Sequence, residues 1–202
     1  MIRPGFFLPF AMAAAGLLAA APCAAAPAAG PPPIEERLDR LGAEGFLWQP
    51  ERSPEGPVEI VISLPLQRAY VFRGGTLIGA SSVSSGREGH ESPIGRFQIL
   101  EKRRHHRSNR YNSAPMPFMQ RLNWYGVALH GGEVPGYPAS HGCIRLPMAF
   151  ARHLFAATAT GTFVFVADSA VASPAAALEL ARANAAQPMR PDRLPRDAIA
   201  AR

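Results

Sequence analysis

The stretch Val58-Glu59-Ile60-Val61-Ile62-Ser63 decides the fold, together with Arg68-Ala69-Tyr70-Val71-Phe72 and the run from Leu77 to Val83. In the first run Val58, Ile60 and Ile62 alternate with Glu59, Val61 and Ser63. A period of two suits a pleated strand, whose successive side chains point to opposite faces, and does not suit a helix. Between the second and third runs stands Arg73-Gly74-Gly75-Thr76, a hairpin turn whose glycines reach the positive φ that such turns need. Further strands are predicted over Phe97 to Leu100, Trp124 to Leu129 and Thr162 to Ala167, with a short helix over Phe150 to Phe155. The expected architecture over residues 58–168 is mainly β, a β-sandwich or mixed-sheet domain with a few short helices. No internal repeat interrupts it.

Working outward, residues 27–57 read as a linker. A Pro/Ala/Gly-rich leash occupies 27–33, and a short helix follows in which Ile34, Leu38 and Leu41 fall at i, i+4 and i+7, closed by Gly42. Pro50, Pro54, Gly56 and Pro57 then break the chain ahead of the first strand. Residues 169–202 turn to alanine. Ser173-Pro174 is an N-cap followed by proline at the first helical position, a helix is expected to about Ala186, and the tail from Gln187 is loose. Residues 1–26 have the plan of a secretory signal peptide: Arg3, an apolar run to Ala21, and small residues at Ala24-Ala25-Ala26. The run is short for a membrane span and carries Pro9. Pro22 precedes Cys23, where a lipoprotein signal wants a small residue. The protein is therefore expected to be exported to the periplasm or cell envelope, and peripheral to a membrane at most.

The 202 residues, 48% of them apolar, suit one domain with extended ends. The net charge of +6 is almost all arginine, because Lys102 is the only lysine. Such a surface suits anionic envelope polymers or acidic peptides. Export removes nucleic acid as a partner. Cysteine usage is sharper. The chain has Cys23 and Cys143, so removal of the leader leaves Cys143 alone. A lone cysteine in an oxidising compartment forms no internal disulfide. It is either buried and inert or kept for its reactivity.

The chemistry concentrates between Leu129 and Pro147. His130 follows an apolar strand directly, a loop with Gly131, Gly132, Pro135, Gly136 and Pro138 turns the chain, and Ser140-His141-Gly142-Cys143 follows. A thiol attacks as thiolate, so it needs a base or cation close by. Two histidines lie within thirteen residues of it. Gly142 removes a side chain where a substrate carbonyl must approach and frees backbone N–H groups for a developing oxyanion. Three readings stand at this point: Cys–His acyl transfer, a zinc site of His130, His141 and Cys143, and a buried inert thiol. The zinc reading lacks a fourth ligand at matching spacing. The flanking glycines and the second histidine weigh against the inert thiol.

Ser140-His141-Gly142-Cys143-Ile144-Arg145, with His130 upstream, resembles the signature of the L,D-transpeptidases, cysteine enzymes of bacterial cell-wall assembly. Ser92-Pro93-Ile94-Gly95-Arg96-Phe97 resembles a second segment of that family, and His106 to Asn109 with Pro115-Met116-Pro117 resembles one of its branches. The resemblance spans about Val58 to Asp168. It implies an L,D-transpeptidase catalytic domain with no metal and no organic cofactor. Cys143 would attack the carbonyl of the third residue of a peptidoglycan stem tetrapeptide, D-alanine would leave, and His130 would act as base and then acid. Gly142 and Cys143 would offer backbone donors to the oxyanion, while Ser140 and His141 would shape the site. The acceptor would be a second stem, giving a 3-3 crosslink, or an envelope protein to be anchored. Water as acceptor would make the protein a hydrolase, and an unreactive Cys143 would leave a wall-binding module.

Two departures from the family pattern stand out. The loop from His130 to Ser140 is shorter than in many members, and Arg145 stands where many carry asparagine. If the segment is extended, His141, Cys143 and Arg145 share one face, which would put a guanidinium where it can grip a diaminopimelate carboxylate. The competing expectation is that Arg145 pairs with Glu133 or holds the loop's carbonyls. Tyr137 and Trp124 are candidates to line the cleft, though aromatics beside a strand more often join a core. The basic run Lys102 to Arg107 is either a solvated loop or a docking surface for stem carboxylates.

Overall fold

The computed structural model describes Met1 and residues 33–189. The expected signal peptide over 1–26, the leash up to residue 32 and the tail from residue 190 lie outside the described residues. The described chain opens with a 3₁₀ helix at Ile34–Arg40, whose Ile34 and Leu38 are buried. Strand β1 (Phe46–Trp48) follows, and then β2 (Val58–Ser63), β3 (Arg68–Arg73) and β4 (Thr76–Ser82). Next come β5 (Gly95–Gln98), β6 (Glu101–Arg103), β7 (Met119–Arg121), β8 (Ala128–Gly131) and β9 (Ile144–Leu146). Helix α1 (Met148–Ala157), strand β10 (Phe163–Ala167) and helix α2 (Pro174–Ala183) complete it. Among the described residues no helix is long and apolar enough to cross a membrane.

The strands form a six-stranded sheet in the order β1-β4-β3-β2-β10-β5 and a four-stranded sheet in the order β6-β7-β8-β9. Both are mixed: β10 runs parallel to β2, and β8 parallel to β9. The expected mainly β, mixed-sheet domain is thus the observed one. The larger sheet is covered on both faces. Ile60, Ile62, Val71, Val164 and Val166 pack with Leu129, Ile144 and Leu146 of the smaller sheet and with Phe150 and Leu154 of α1. On the other face Val61, Tyr70 and Phe72 pack with Ile34 and Leu38 of the 3₁₀ helix and with Val171 and Ala177 around α2. The alternation in β2 therefore separates two buried faces and does not divide core from solvent. Ser63, on the second face, is satisfied there: its hydroxyl donates to Ser169 O at 2.8 Å and accepts from Val171 N at 3.1 Å. Leaving such a buried polar atom without a partner would cost about 1–3 kcal/mol.

Several elements differ from expectation for physical reasons. The helix at Ile34 is 3₁₀ and ends at Arg40. Residues 46–48 add β1 to the edge of β4, with the Trp48 ring lying over Gly79, where a Cβ would sit 2.5 Å from the indole. Strand β5 starts at Gly95, two residues earlier than read. The strand expected over Trp124 to Leu129 begins only at Ala128, because Asn123 turns the chain: its side-chain oxygen accepts from Tyr125 N and Val127 N, both at 3.0 Å. Helix α2 has the expected cap, with Ser173 Oγ accepting from Ala176 N, and ends at Ala183, short of Ala186.

Candidate active site

The site lies on the face of the smaller sheet that turns away from the core. Successive strand residues alternate, so Leu129, Ile144 and Leu146 enter the core while their neighbours face outward. Met119 and Arg121 of β7, Ala128 and His130 of β8, and Cys143 and Arg145 at β9 all line one cleft of about 480 Å³. The parallel register pairs Leu129 with Ile144 and His130 with Arg145. Cys143, one residue before Ile144, therefore stands beside the strand that carries His130. The loop from His106 to Pro117 supplies the opposite wall through His106, Arg110, Tyr111 and Met116.

The cysteine turn is held from several sides. Ser84 and Arg145 exchange backbone hydrogen bonds, Arg145 N to Ser84 O at 2.9 Å and Ser84 N to Arg145 O at 3.0 Å, so the free edge of β9 is paired. Ser92 donates to Gly142 O at 2.9 Å and accepts from Gly86 N at 2.9 Å. Ser140, itself buried, donates to Cys143 O and accepts from Gly142 N at 3.1 Å. Gly142 sits at φ +105°, a conformation that a side chain strongly disfavours. On the far side of β8, a Cβ at Gly131 would meet Met148 Sδ at 2.9 Å, so glycine lets α1 lie close behind the histidine strand.

His130 is buried, and its Nδ1 lies 2.9 Å from Gly131 O. A carbonyl only accepts, so Nδ1 carries the hydrogen and Nε2 keeps its lone pair. Burial lowers the His130 pKa to about 4, with Arg145 and His106 adding to the effect and the Gly131 carbonyl opposing it. The Cys143 sulfur hydrogen-bonds Gly126 O at 3.3 Å. Burial pushes its pKa up, and the Ala128 backbone N–H and the Arg145 and Arg121 charges only partly offset that. Both shifts favour the neutral form, a thiol at Cys143 and an imidazole at His130 in the same cleft. Such a pair supports attack in which the proton leaves sulfur as the new bond forms.

The other expected site residues divide. Arg145 faces the cleft, and among the described residues its guanidinium makes no ion pair; the pairing with Glu133 does not form. His141, ahead of Gly142 and outside β9, lines the same cleft as Cys143 and Arg145. Its exposed ring sits on the rim, 4.9 Å from His90 and 4.6 Å from Tyr111 between centroids. Ser140 spends its hydroxyl on the cysteine turn, and Gly142 N–H is engaged by that hydroxyl rather than free for an oxyanion. Tyr137 departs from expectation: its side chain is exposed and is not among the groups lining the cleft, while its carbonyl accepts from Ser84 Oγ at 2.8 Å. The zinc reading needed His130, His141 and Cys143 to converge, and among the described residues no three His, Cys, Asp or Glu side chains are placed to hold a metal ion.

The basic run is split. Lys102 Nζ bonds Phe155 O at 2.7 Å and Thr158 O at 2.5 Å, closing the end of α1, whereas His106 enters the cleft. Sequence reasoning missed the parts of Arg121, Tyr111 and Ser92. Arg121 is held by Glu101 Oε2 at 2.8 Å in a cross-strand pair, and Glu101 is held below the usual carboxylate range chiefly by that bond. It also missed Glu44, which accepts from Val134 N at 2.5 Å and pins the loop after His130. Only the Ser92 motif carried a signal in the chain.

Fold and cleft together define a mixed-sheet catalytic domain with a thiol and an imidazole on one outward face. The chain belongs to the YkuD family of L,D-transpeptidase catalytic domains, which matches residues 57–166, more than half of its length. Solved structures show the same fold. An L,D-transpeptidase from Mycobacterium tuberculosis is 22% identical with a TM-score of 0.53, over 55% of this chain and 57% of that one. One from Stackebrandtia nassauensis is 22% identical at 0.51, over 58% of each. One from Xylanimonas cellulosilytica is 25% identical at 0.51, over 56% of this chain and 61% of that one. The match thus covers less than two thirds of each of these chains. Comparison with the curated proteins finds no match.

Proposed function

We propose that this protein is a cysteine-dependent L,D-transpeptidase acting on peptidoglycan stem tetrapeptides, exported to the periplasm or cell envelope as its first 26 residues suggest. The observation that carries the reading is the shared outward face of adjacent parallel strands, on which His130 and Cys143 line one cleft. His130 Nε2 takes the proton from Sγ as sulfur bonds to the carbonyl carbon of the third stem residue. The tetrahedral adduct collapses, the C–N bond breaks, and His130 returns the proton to the departing amine of D-alanine. A thioester remains on Cys143. An acceptor amine then attacks it, gives its proton to His130, and displaces sulfur, which is reprotonated. The amine belongs to a second stem, giving a 3-3 crosslink, or to an envelope protein. Arg145, which lines the cleft and makes no ion pair among the described residues, is assigned to the free carboxylate of diaminopimelate.

The test incubates the full chain with purified disaccharide-tetrapeptides and follows both protein and stems by mass. Expected are loss of D-alanine from the stems, a transient acyl adduct on the protein and crosslinked dimers. Tripeptide without dimers would assign water as the acceptor. Unchanged stems and an unmodified protein would overturn the reading.

A further inference from the structure

We propose that the turn between β7 and β8, centred on Trp124, is a docking site for the glycan strand that carries the stem peptide; this rests on the function proposed above and extends it from the peptide to the sugar. Trp124 is 67% exposed, although its neighbours Leu122 and Val127 are buried. Tryptophan is highly buried on average, so an indole left in solvent calls for a reason. Flexibility is not that reason, because the turn is stiff. Leu122 N donates to Val127 O at 2.9 Å, and buried Asn123 holds Tyr125 N and Val127 N at 3.0 Å each. Arg110 donates to Tyr125 O, and its stem lies against Gly126, where a Cβ would meet it at 3.1 Å. The backbone that carries the ring is thus held in place, which lowers the ordering cost of binding.

The turn is continuous with the cleft. Gly126, Arg110 and Arg121 all line it, and Gly126 O holds the Cys143 sulfur. The Trp124 side chain is not among the lining groups, so it stands outside the mouth. The Arg121 guanidinium lies 5.7 Å from the centre of the indole ring. Tyr111, on the loop that carries Arg110, adds a second ring that is 39% exposed. A flat apolar face edged by guanidinium donors matches a pyranose, which offers C–H bonds on one face and hydroxyl acceptors at its edge. A stem peptide seated in the cleft brings its own sugar to the mouth, where these groups are. A protein partner would call for a broader apolar patch than one indole and a half-covered phenol.

The experiment uses the full chain with Cys143→Ala, so that no turnover intervenes, and titrates it with disaccharide-tetrapeptide and with the same tetrapeptide lacking sugar. Adding Trp124→Ala should weaken the disaccharide ligand by roughly three- to tenfold, the scale of one aromatic contact. The sugar-free ligand should bind unchanged, and Trp124→Phe should retain most of the affinity. An unaltered melting temperature shows that the turn survives the change. Equal affinity of the disaccharide ligand with and without Trp124, or equal losses on both ligands, overturns the docking site, including the case in which the indole serves a protein. Because binding is read on an inactive chain, these outcomes are separate from any failure of stem turnover in the unmodified protein.

Discussion

In β2 of the larger sheet, Val61 and Ile62 are neighbours and both are fully buried, one on each face. In β8 of the smaller sheet, Leu129 is fully buried while His130 beside it looks into the cleft. The larger sheet is a scaffold covered by the 3₁₀ helix and α2 on one side and by the smaller sheet and α1 on the other. The smaller sheet spends one face on that core and leaves the other to chemistry. That face is covered in part by the loop from His106 to Pro117, and in the cleft left between them polar side chains can stand rigidly without being displaced by packing. The division predicts that substitutions on the core faces change stability first, and those on the cleft face change activity first.

Cys143→Ala should break that comparison if it is wrong anywhere. Turnover of tetrapeptide stems should fall to background, while the melting temperature stays within a few degrees, because the change removes one sulfur atom from a half-buried residue at a cleft wall. A folded Cys143→Ala protein with unchanged turnover would falsify the nucleophile assignment. Phe150→Ala probes the opposite face. Phe150 is fully buried between the two sheets, so its removal should cost about 3–5 kcal/mol in chemical denaturation. A loss below about 1 kcal/mol would mean that the two sheets do not share one core.

His130 belongs to both accounts, and this sharpens the comparison. His130→Ala should lower the acylation rate by about a hundredfold or more. A larger loss for His141→Ala would move the base to the rim. With its folded pKa lowered from 6.5 to about 4, His130 stays an unprotonated base down to that region, so the acid limb of kcat/KM should fall near pH 4. The same shift has a stability consequence of definite sign. The unfolded chain takes up the proton first, so stability is full above pH 6.5 and declines by about 3 kcal/mol as pH falls toward 4. His130→Gln should flatten that part of the stability profile, and an unchanged profile would mean that the imidazole is not buried as described. The smallest expected effect on turnover is at Arg145. Arg145→Ala should cost roughly 1.5–3 kcal/mol in transition-state binding on a stem with a free diaminopimelate carboxylate, and much less on the amidated stem. Equal losses on both would make Arg145 a support of the cleft and no reader of substrate.

The hairpin of β3 and β4, the cap at Ser173 and the concentration of chemistry between His130 and Cys143 were all determined by residues close together in the chain. Period, turn glycines and capping act over a few residues and are visible without a fold. Gly142 and Ser92 carried motif signals of the same local kind. Which face each side chain serves was decided elsewhere. The pairing of β8 with β9 sets Cys143 and Arg145 beside His130, while the turn at Gly142 sends His141 to the rim and the course of the loop leaves Tyr137 outside the cleft. A turn at Asn123 replaced the first four residues of an expected strand and left Trp124 in solvent. Glu44 reaches Val134 across ninety residues, and Ser92 reaches Gly142 across fifty. Such contacts depend on register and layer order, which follow from how the sheets bury their apolar faces against each other, and no local pattern encodes them.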